Sequence, residues 1–502
     1  MKYDVIIIGS GLGGLSAGAK LAKEGKKVLL VEQQHHTGGL AANFQRKGYT
    51  IEVSLHEMGG YEDERFNNLL RDLNILDNLQ LVRVPEFYRF VNGRVDIVVP
   101  DNREQAMKVL SEHFPEDKAG LKKYFDLIFS IREEIYRTPS KRWKKRILLP
   151  FYPILYPNLV STQKKTLGDY LDSIIKNEDL KLVLQGNLMY YHDDPYTMSL
   201  LWFDFAQATY FMGASYIQGG SSELARHLTK VIEINGGEVL LNSVVTKIIV
   251  EDNTAIGVEY QRAKKEGSEI IRAFGEYIVA NAAIPNVVNE MLPPEQAGKL
   301  KKRTANLEPS ISILQVYLGF KKPPTELGNK CYSTIVFDKN VRTQRDMINN
   351  HKGDFQKRNF IFLDYSQIDT KLAPEGKGIG AITIIDYITD WENLDKEEYR
   401  MKKERVSNIL IDRLDAFLPG IKAEIEYYEM GTSKTIRRYT SNPGGVIYGY
   451  AQTPGQSGSK RLPRKSPIKN LYFASAWTEP GGGFAGALAS GYLCAIEILY
   501  GG

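Results

Sequence analysis

A glycine-rich turn near the start of the chain constrains its fold more than any other feature. Residues 3–8 form a short apolar run rich in β-branched side chains, which is typical of a buried parallel strand. Gly9, Gly11 and Gly14 follow directly, and residues 15–24 include the small side chains of a helix that packs closely on a sheet. The pattern predicts a strand, a tight turn and a helix, which is the first half of a dinucleotide-binding unit.

Each glycine of this turn has a distinct physical role. Gly9 is expected to make the tight turn, Gly11 to let the backbone approach a pyrophosphate, and Gly14 to let the helix pack on the strand. The helix N-terminus offers free N–H groups and a partial positive charge to phosphates. Leu12 and Gly13, in the first turn, therefore join the three glycines as candidate cofactor-binding residues.

The second strand and the residues after it indicate which dinucleotide binds. Residues 28–31 form another apolar run, and Glu32 follows 18 positions beyond Gly14. A carboxylate there can accept hydrogen bonds from a ribose diol and disfavours a 2′-phosphate, which favours FAD or NAD over NADP. An NAD domain is expected to enter another βα unit next. Here Gly38 and Gly39 precede a short extended segment, so FAD is the predicted cofactor.

The C-terminal end supplies a second glycine-rich signal. Residues 471–476 form a strand, residues 477–483 a loop, and a helix begins at residue 484. Backbone N–H groups at such a helix start stabilise the negative charge of a reduced flavin ring. The predicted flavin-ring cradle consists of Trp477, Gly482, Gly483, Phe484 and Ala485.

Composition excludes several classes of protein. The 502 residues are 43% hydrophobic and 25% charged, close to ordinary globular proteins, and allow two or three domains. Two cysteines and seven histidines without metal-ligand spacing predict no metal site and no disulfide framework. A net charge of +5 gives no support for nucleic-acid binding. The absence of a signal peptide or a long apolar segment predicts a cytoplasmic protein.

Several motifs together resemble the group of FAD-dependent oxidoreductases that contains phytoene desaturases, carotenoid isomerases and retinol saturases. The resemblance spans nearly the whole chain and is carried by the N-terminal glycines with Glu32, Gly38-Gly39, residues 216–221, 241–245 and 280–282, and the block 438–491. It adds Val245 and Ala282 to the candidate cofactor-binding residues. Leu40, also a candidate, stands where the group often has an arginine, so that phosphate contact is expected to be missing.

The resemblance implies an α/β fold with a discontinuous FAD-binding, Rossmann-like domain of the GR2 type and a mixed α+β substrate domain. The expected FAD-binding parts are residues 1–64, 215–290 and 437–502. The expected substrate-domain parts are residues 65–214 and 291–436. Residues 189–216 are rich in aromatic side chains and are interpreted as a buried helix pair, as the wall of an apolar tunnel, or as both.

The resemblance also implies the chemistry. Residues 51–59 are most similar to retinol saturases, although Ile51 and Ser54 depart from their pattern. The implied function is FAD-dependent oxidation or reduction of carbon–carbon bonds in a lipophilic carotenoid or retinoid, with an electron donor or acceptor as a further partner. Alternatives are a desaturase, a cis–trans isomerase, a flavin oxidase of another substrate such as an amine, and a non-enzymatic binder similar to Rab GDP-dissociation inhibitors. His56 is the candidate catalytic residue, for substrate positioning or proton delivery, against a purely structural contact.

One further segment, residues 141–160, suits a membrane surface. Five basic residues surround Trp143 in positions 141–146, and a proline-rich apolar stretch follows at 147–156. The stretch is too short to span a bilayer, but basic and aromatic side chains together suit the membrane interface. The alternative is a charged loop before a buried segment. Peripheral membrane contact is therefore predicted, through which a lipophilic polyene could load.

Overall fold

The computed structural model describes residues 2–139, 142–263, 268–368 and 371–501. The strands in this part of the chain are β1 (Lys2–Ile8), β2 (Val28–Val31), β3 (Asn43–Arg46), β4 (Tyr49–Glu52), β5 (Met58–Gly59), β6 (Leu81–Arg83), β7 (Tyr88–Val91), β8 (Asp96–Val99), β9 (Ala214–Ile217), β10 (Glu238–Leu240), β11 (Ser243–Glu251), β12 (Thr254–Arg262), β13 (Ile271–Ala280), β14 (Ser312–Phe320), β15 (Ser333–Val336), β16 (Phe360–Asp364), β17 (Gly378–Asp386), β18 (Ile425–Gly431) and β19 (Leu471–Phe473).

The α-helices of the same residues are α1 (Leu12–Lys23), α2 (Glu64–Asp72), α3 (Arg103–His113), α4 (Lys118–Arg137), α5 (Arg142–Leu148), α6 (Tyr152–Leu155), α7 (Pro157–Thr162), α8 (Leu167–Ile174), α9 (Glu178–Leu184), α10 (Leu200–Tyr210), α11 (Ser221–Ile234), α12 (Ile284–Asn286), α13 (Pro294–Thr304), α14 (Gln344–His351), α15 (Lys396–Phe417), α16 (Ile421–Glu424), α17 (Ser433–Thr440) and α18 (Phe484–Tyr500). None of the helices described combines the length and the apolar composition needed to cross a bilayer.

The first sheet gathers strands from three distant stretches of the chain. Its order is β10-β2-β1-β13-β12-β11, and β19 also pairs with β13. Strands β10, β2, β1, β13 and β19 are parallel to one another, whereas β12 pairs antiparallel with both β11 and β13. This arrangement confirms the predicted α/β fold with a discontinuous Rossmann-like domain.

The core of this sheet follows from its apolar strands and small helical residues. Val5, Ile6 and Ile7 of β1 are fully buried, as the apolar run predicts. Helix α1 packs on the sheet between α11 and α18. A Cβ on Gly491 of α18 would lie 2.0 Å from the carbonyl oxygen of Gly13, so the two helices can approach this closely only because residue 491 is glycine.

The second sheet is mixed, as expected for a substrate domain, and has the order β18-β14-β17-β16-β15-β7-β8. Only the β7–β15 pair is parallel among its described pairs. Strand β14 is buried along its whole length. Its alternate residues face opposite sides: Leu314, Val316 and Leu318 join the core formed with α15, whereas Ile313, Gln315 and Tyr317 line a cavity.

A small antiparallel sheet, β5-β9-β6, lies where the expected domain parts meet. Met58 of β5 pairs with Ser215 of β9, and Val82 of β6 pairs with Tyr216. This pairing holds the residues that precede β5, including His56, against the aromatic segment that precedes β9. The domain boundaries given above stay a prediction.

The segment predicted to contact a membrane forms short helices on the surface. Large apolar side chains are exposed on α5, on α6 and on the 3₁₀ turn between them; they include Trp143, Ile147, Leu149, Phe151 and Ile154, and Ile154 is 80% exposed. Lys144, Lys145 and Arg146 are exposed beside them. Lys141 lies outside the described residues, as does the side chain of Arg142. The alternative in which residues 147–156 are buried does not hold for these apolar side chains.

Candidate active site

A cavity of about 1490 Å³ lies at the carboxyl ends of the parallel strands of the first sheet, where open α/β sheets bind ligands. Its volume exceeds the roughly 300–1,000 Å³ of an ordinary small-molecule pocket, which leaves room for a cofactor and a substrate together. The predicted site residues that line it are Gly9, Gly11, Leu12, Gly13, Glu32, Gly38, Gly39, Leu40, His56, Val245, Ala282, Trp477, Gly483 and Phe484. Gly14, Gly482 and Ala485 are not among the lining residues, so their direct contact with a cofactor stays a prediction.

The first glycine turn is held so tightly that side chains are excluded from it. Gly9 has a φ of +88°, and a Cβ there would lie 2.6 Å from the carbonyl oxygen of Asn281. A Cβ on Gly11 would lie 2.8 Å from the Asn281 Nδ2 atom, and one on Gly14 would lie 2.2 Å from the Gly9 carbonyl oxygen. Gly14 therefore acts through helix packing, in agreement with its expected role.

Helix α1 presents its N-terminus to the cavity, and no side chain of the helix start occupies the backbone N–H groups there. Gly11 is its N-cap residue, no side chain caps it, and its first turn has no acidic residue. The free N–H groups and the positive end of the helix dipole suit a phosphate. Gly39 closes the same turn, since a Cβ there would lie 3.2 Å from the Gly11 Cα. The residues present thus fit the pyrophosphate of FAD.

Glu32 is buried at the end of β2 and organises the loop that surrounds it. Its Oε2 accepts hydrogen bonds from the backbone N–H and the hydroxyl of Ser10, at 2.7 and 2.6 Å, and its Oε1 accepts one from the Gln34 N–H at 2.7 Å. An ionised carboxylate has about four acceptor positions. One position on Oε1 is thus left for a ribose hydroxyl, which is compatible with the predicted role.

Positive charge reaches the cavity from an unpredicted element. Leu40 lines the cavity and provides no charge, as expected. Lys434, Arg437 and Arg438 of α17 also line the cavity. Their sequence spacing of i, i+3 and i+4 places the basic side chains on one helical face. This spacing is the feature of the sequence from which the basic face could have been predicted. Their position depends on the second sheet, because α17 directly follows β18.

The C-terminal glycines shape the opposite end of the cavity. Gly483, with φ +82°, is the N-cap residue directly before α18. The first turn of this helix has no side-chain cap and no acidic residue. A Cβ on Gly482 would lie 2.2 Å from Cδ1 of Tyr448, so this glycine allows close contact with the Tyr448 ring. Trp477 is buried, with its ring 4.9 Å from the ring of Tyr450. This helix start fits a negatively charged flavin ring.

His56 lies in the cavity wall as a neutral imidazole. Its Nε2 is 3.5 Å from the Thr383 hydroxyl oxygen, and the hydroxyl of Tyr332 donates to its carbonyl oxygen. Burial lowers the pKa of His56 to about 3. The side chain therefore carries no imidazolium proton at neutral pH. It can position a substrate, but it does not fit the proton-delivery alternative as a charged acid.

A chain of aromatic rings connects His56 to the C-terminal glycine loop. The ring centroids of His56 and Tyr190 are 5.1 Å apart, those of Tyr190 and Tyr191 6.4 Å, and those of Tyr191 and Tyr448 6.3 Å. Tyr448 in turn contacts Gly482. His56 and the C-terminal glycine loop are therefore linked by one continuous set of aromatic contacts. Residues 189–216 do contribute an aromatic wall, through Tyr190 and Tyr210.

Three cavity residues have buried polar atoms without a partner, and two of them, Glu57 and Gln315, were not predicted as site residues. These atoms are Oε2 of Glu57, the hydroxyl of Tyr190, and both Oε1 and Nε2 of Gln315. An unpaired buried polar atom is costly and marks a place for a ligand or a proton transfer. Glu57 had no sequence signal beyond its position beside His56. Gln315 is detectable only as a polar residue within an apolar strand.

Asn281 was also missed as a site residue, although it lies in a motif that the resemblance used. Its Nδ2 donates to the carbonyl oxygen of Gly9 at 3.2 Å, and it lines the cavity. Within the described residues, no cluster of three or more His, Cys, Asp or Glu side chains could hold a metal ion.

The sequence model of the flavin-containing amine oxidoreductase family matches residues 12–499. The chain is 27% identical to all-trans-retinol 13,14-reductase of Danio rerio, over 99% of this chain and 86% of that protein. It is also 27% identical to chloroplastic prolycopene isomerase 2 of an Oncidium hybrid cultivar, over 99% and 84% of the two chains.

Solved structures agree on the fold. Cyclohexylamine oxidase from Brevibacterium oxydans superposes with a TM-score of 0.62 at 16% identity, covering 99% of this chain and 98% of that one. This chain therefore shares its fold, with a mostly parallel sheet beside a mixed sheet, with that oxidase.

Proposed function

Because the chain belongs to the family of flavin-containing amine oxidoreductases, we propose that it acts on a carbon–carbon bond of a lipophilic isoprenoid, in the manner of a retinol saturase. FAD is its cofactor and oxidoreduction its reaction class. The substrate would be a retinoid or carotenoid, since relatives at 27% identity are named for a retinol reductase and a prolycopene isomerase. Reduction of a double bond is the proposed direction, because residues 51–59 are most similar to retinol saturases.

Specific residues would hold the cofactor. The N–H groups at the start of α1, around Gly11, Leu12 and Gly13, would bind the pyrophosphate, and Glu32 would bind the adenosine ribose. Trp477 and the start of α18 would border the flavin ring. When bound, FAD supplies two-electron chemistry by donating or accepting hydride at its ring. The protein contributes position, exclusion of water and control of protons.

The observation that supports a polyene substrate best is the character of the cavity beyond the glycine loop. Ile313, Tyr317, Ile447 and Tyr448 line it together with the aromatic rings described above. These side chains are uncharged at neutral pH, since burial raises the pKa of Tyr317 and Tyr448 above the usual 10. Apolar and aromatic walls suit a flat conjugated chain. They offer less to an amine, which is a cation at neutral pH.

Product mass tests this proposal directly. Purified holoprotein would be incubated without oxygen, in oxidised and in chemically reduced form, with all-trans-retinol, several carotenoids and an aliphatic amine. A product heavier by two hydrogens, formed only by reduced enzyme, supports the proposal. A product lighter by two hydrogens indicates a desaturase, and unchanged mass with altered retention indicates an isomerase. Turnover of the amine alone would indicate an amine oxidase.

The non-enzymatic alternative has a separate test. The start of α1, which has no side-chain cap and no acidic residue in its first turn, suits a bound phosphate and so favours the flavoenzyme over a binder without flavin. The visible spectrum of purified protein distinguishes the two cases. Colourless protein that stays colourless after incubation with FAD would contradict the flavoenzyme proposal.

We further propose that residues 141–160 contact a membrane surface. Exposed apolar side chains such as Ile147, Leu149 and Ile154 adjoin the basic side chains of Lys144, Lys145 and Arg146. Apolar groups at the acyl boundary and cations at anionic headgroups are both favoured in that geometry. The surface would let a water-insoluble polyene pass from lipid to the enzyme.

A further inference from the structure

Glu57 is a carboxyl group placed in the cavity wall with no obvious structural task. It directly precedes β5, follows His56 in the chain and lines the same cavity. Its residue is only 8% exposed, and its Oε2 has no hydrogen-bond partner. Glu52, by contrast, accepts hydrogen bonds from the N–H groups of Ser54, Leu55 and Ser221. Asp204 is a second buried carboxyl group without a partner, but it does not line the cavity.

The surroundings of Glu57 oppose its ionisation. Burial raises its pKa well above the usual value, and the carboxylates of Glu86 and Asp101 raise it further. Six tyrosines lie close enough to Glu57 to interact with it electrostatically, and none of them is a cation that could stabilise its carboxylate. They are Tyr88, Tyr190, Tyr191, Tyr210, Tyr332 and Tyr365. Burial and these acidic neighbours therefore favour the neutral, protonated form of Glu57, which has an O–H that it can donate.

Burial thus shifts the pKa values of His56 and Glu57 in opposite directions, lowering that of His56 and raising that of Glu57. His56 is a neutral imidazole at neutral pH, whereas the raised pKa of Glu57 favours its protonated carboxyl group. When the pKa values of two neighbouring titratable groups are shifted in opposite directions, the pair commonly contains the acid of an active site.

We propose that Glu57 is the catalytic acid that delivers the proton when a double bond is reduced at this site. This inference rests on the proposed polyene reduction. The Glu57 O–H bond breaks and a C–H bond forms at one alkene carbon, using the π electron pair. Reduced FAD, reloaded by a two-electron reductant, is the hydride source for the other carbon. The carboxylate left on Glu57 then recovers a proton from water.

The key variant is Glu57→Gln, which keeps the size and neutrality of the side chain but removes the acidic proton. We expect kcat for polyene reduction by chemically reduced enzyme to fall by about 10²- to 10⁴-fold, with little change in KM. FAD content and polyene binding should stay at the parental level. Glu57→Asp, which restores an acid on a shorter chain, should recover part of kcat. Glu62→Gln, at an exposed glutamate five positions away, is the matched control and should retain parental kcat.

A second readout does not depend on turnover. The infrared spectrum of the holoprotein at neutral pH should contain the carbonyl band of the protonated Glu57 carboxyl group. The difference spectrum between the parent and Glu57→Gln should show the loss of this band, and Glu62→Gln should keep it. An unchanged band, or a Glu57→Gln enzyme within threefold of the parental kcat, would overturn the assignment of Glu57. A parent enzyme that reduces no polyene would instead overturn the proposed function, whatever the infrared result.

Discussion

The side-chain amide of Asn281 donates a hydrogen bond to the carbonyl oxygen of Gly9, 3.2 Å away, and so ties the end of β13 to the first turn of the cofactor site. Asn281→Ala removes this bond, which is worth about 1 kcal/mol. We expect about fivefold weaker FAD binding, measured by fluorescence titration of the apoprotein. Asn281→Asp should be worse, because a carboxylate oxygen would face the Gly9 carbonyl and the cofactor phosphates. Equal affinity for the parent and both variants would contradict this role.

The lack of space for a side chain at Gly11 predicts a stronger effect on FAD binding. Gly11→Val would place a branched side chain against the Asn281 amide and in the space expected for the pyrophosphate. We expect purified protein without flavin absorbance. Gly298→Val in α13 is the matched control, since a Cβ there meets no atom within 4 Å. Flavin retained in Gly11→Val at the level of the control would refute the assignment of this turn.

The burial of His56 predicts a pH effect on stability. Its pKa is about 3 in the folded chain against about 6.5 for an exposed histidine. Between these pH values the unfolded chain binds a proton that the folded chain does not, so folding stability falls by about 1.4 kcal/mol per pH unit as the pH decreases. The urea midpoint of His56→Gln should therefore fall less than that of the parent between pH 7 and pH 5. His113→Gln, at an exposed histidine, should behave like the parent.

The neutral imidazole of His56 also predicts a kinetic pattern. A residue that positions substrate contributes to binding, so His56→Ala should raise KM for the polyene more than it lowers kcat. The comparison is made with chemically reduced enzyme and a substrate series in detergent micelles. A large loss of kcat with unchanged KM would assign His56 a role in proton delivery after all.

The exposed basic cluster predicts dependence on anionic lipid. Each basic residue near such a surface contributes about 1 kcal/mol. Replacing Lys144, Lys145 and Arg146 by Glu should abolish co-sedimentation with phosphatidylserine vesicles at low salt. The same change at Lys118, Lys122 and Lys123, which are exposed on the first turns of α4, should leave binding intact. A parent protein that ignores such vesicles would remove the basis for membrane contact.

Sequence reasoning found the cofactor half of the site far better than the substrate half. Gly9, Gly11 and Glu32 obey rules of backbone geometry and hydrogen bonding that hold wherever a dinucleotide binds, so local spacing suffices to recognise them. Glu57 and Gln315 obey no such rule. Their importance comes from burial and from missing partners, which are properties of neighbours distant in sequence.

By itself, the sequence determined the strand–turn–helix at the N-terminus, the glycine cradle at the C-terminus and the FAD that both imply, because those signals are local. Only the tertiary structure decided that β14 turns Gln315 toward the cavity and that Lys434, Arg437 and Arg438 supply charge where Leu40 supplies none. It also decided that burial lowers the pKa of His56 and raises that of Glu57. Protonation depends on desolvation and on nearby charges, and both are set by how distant segments pack together.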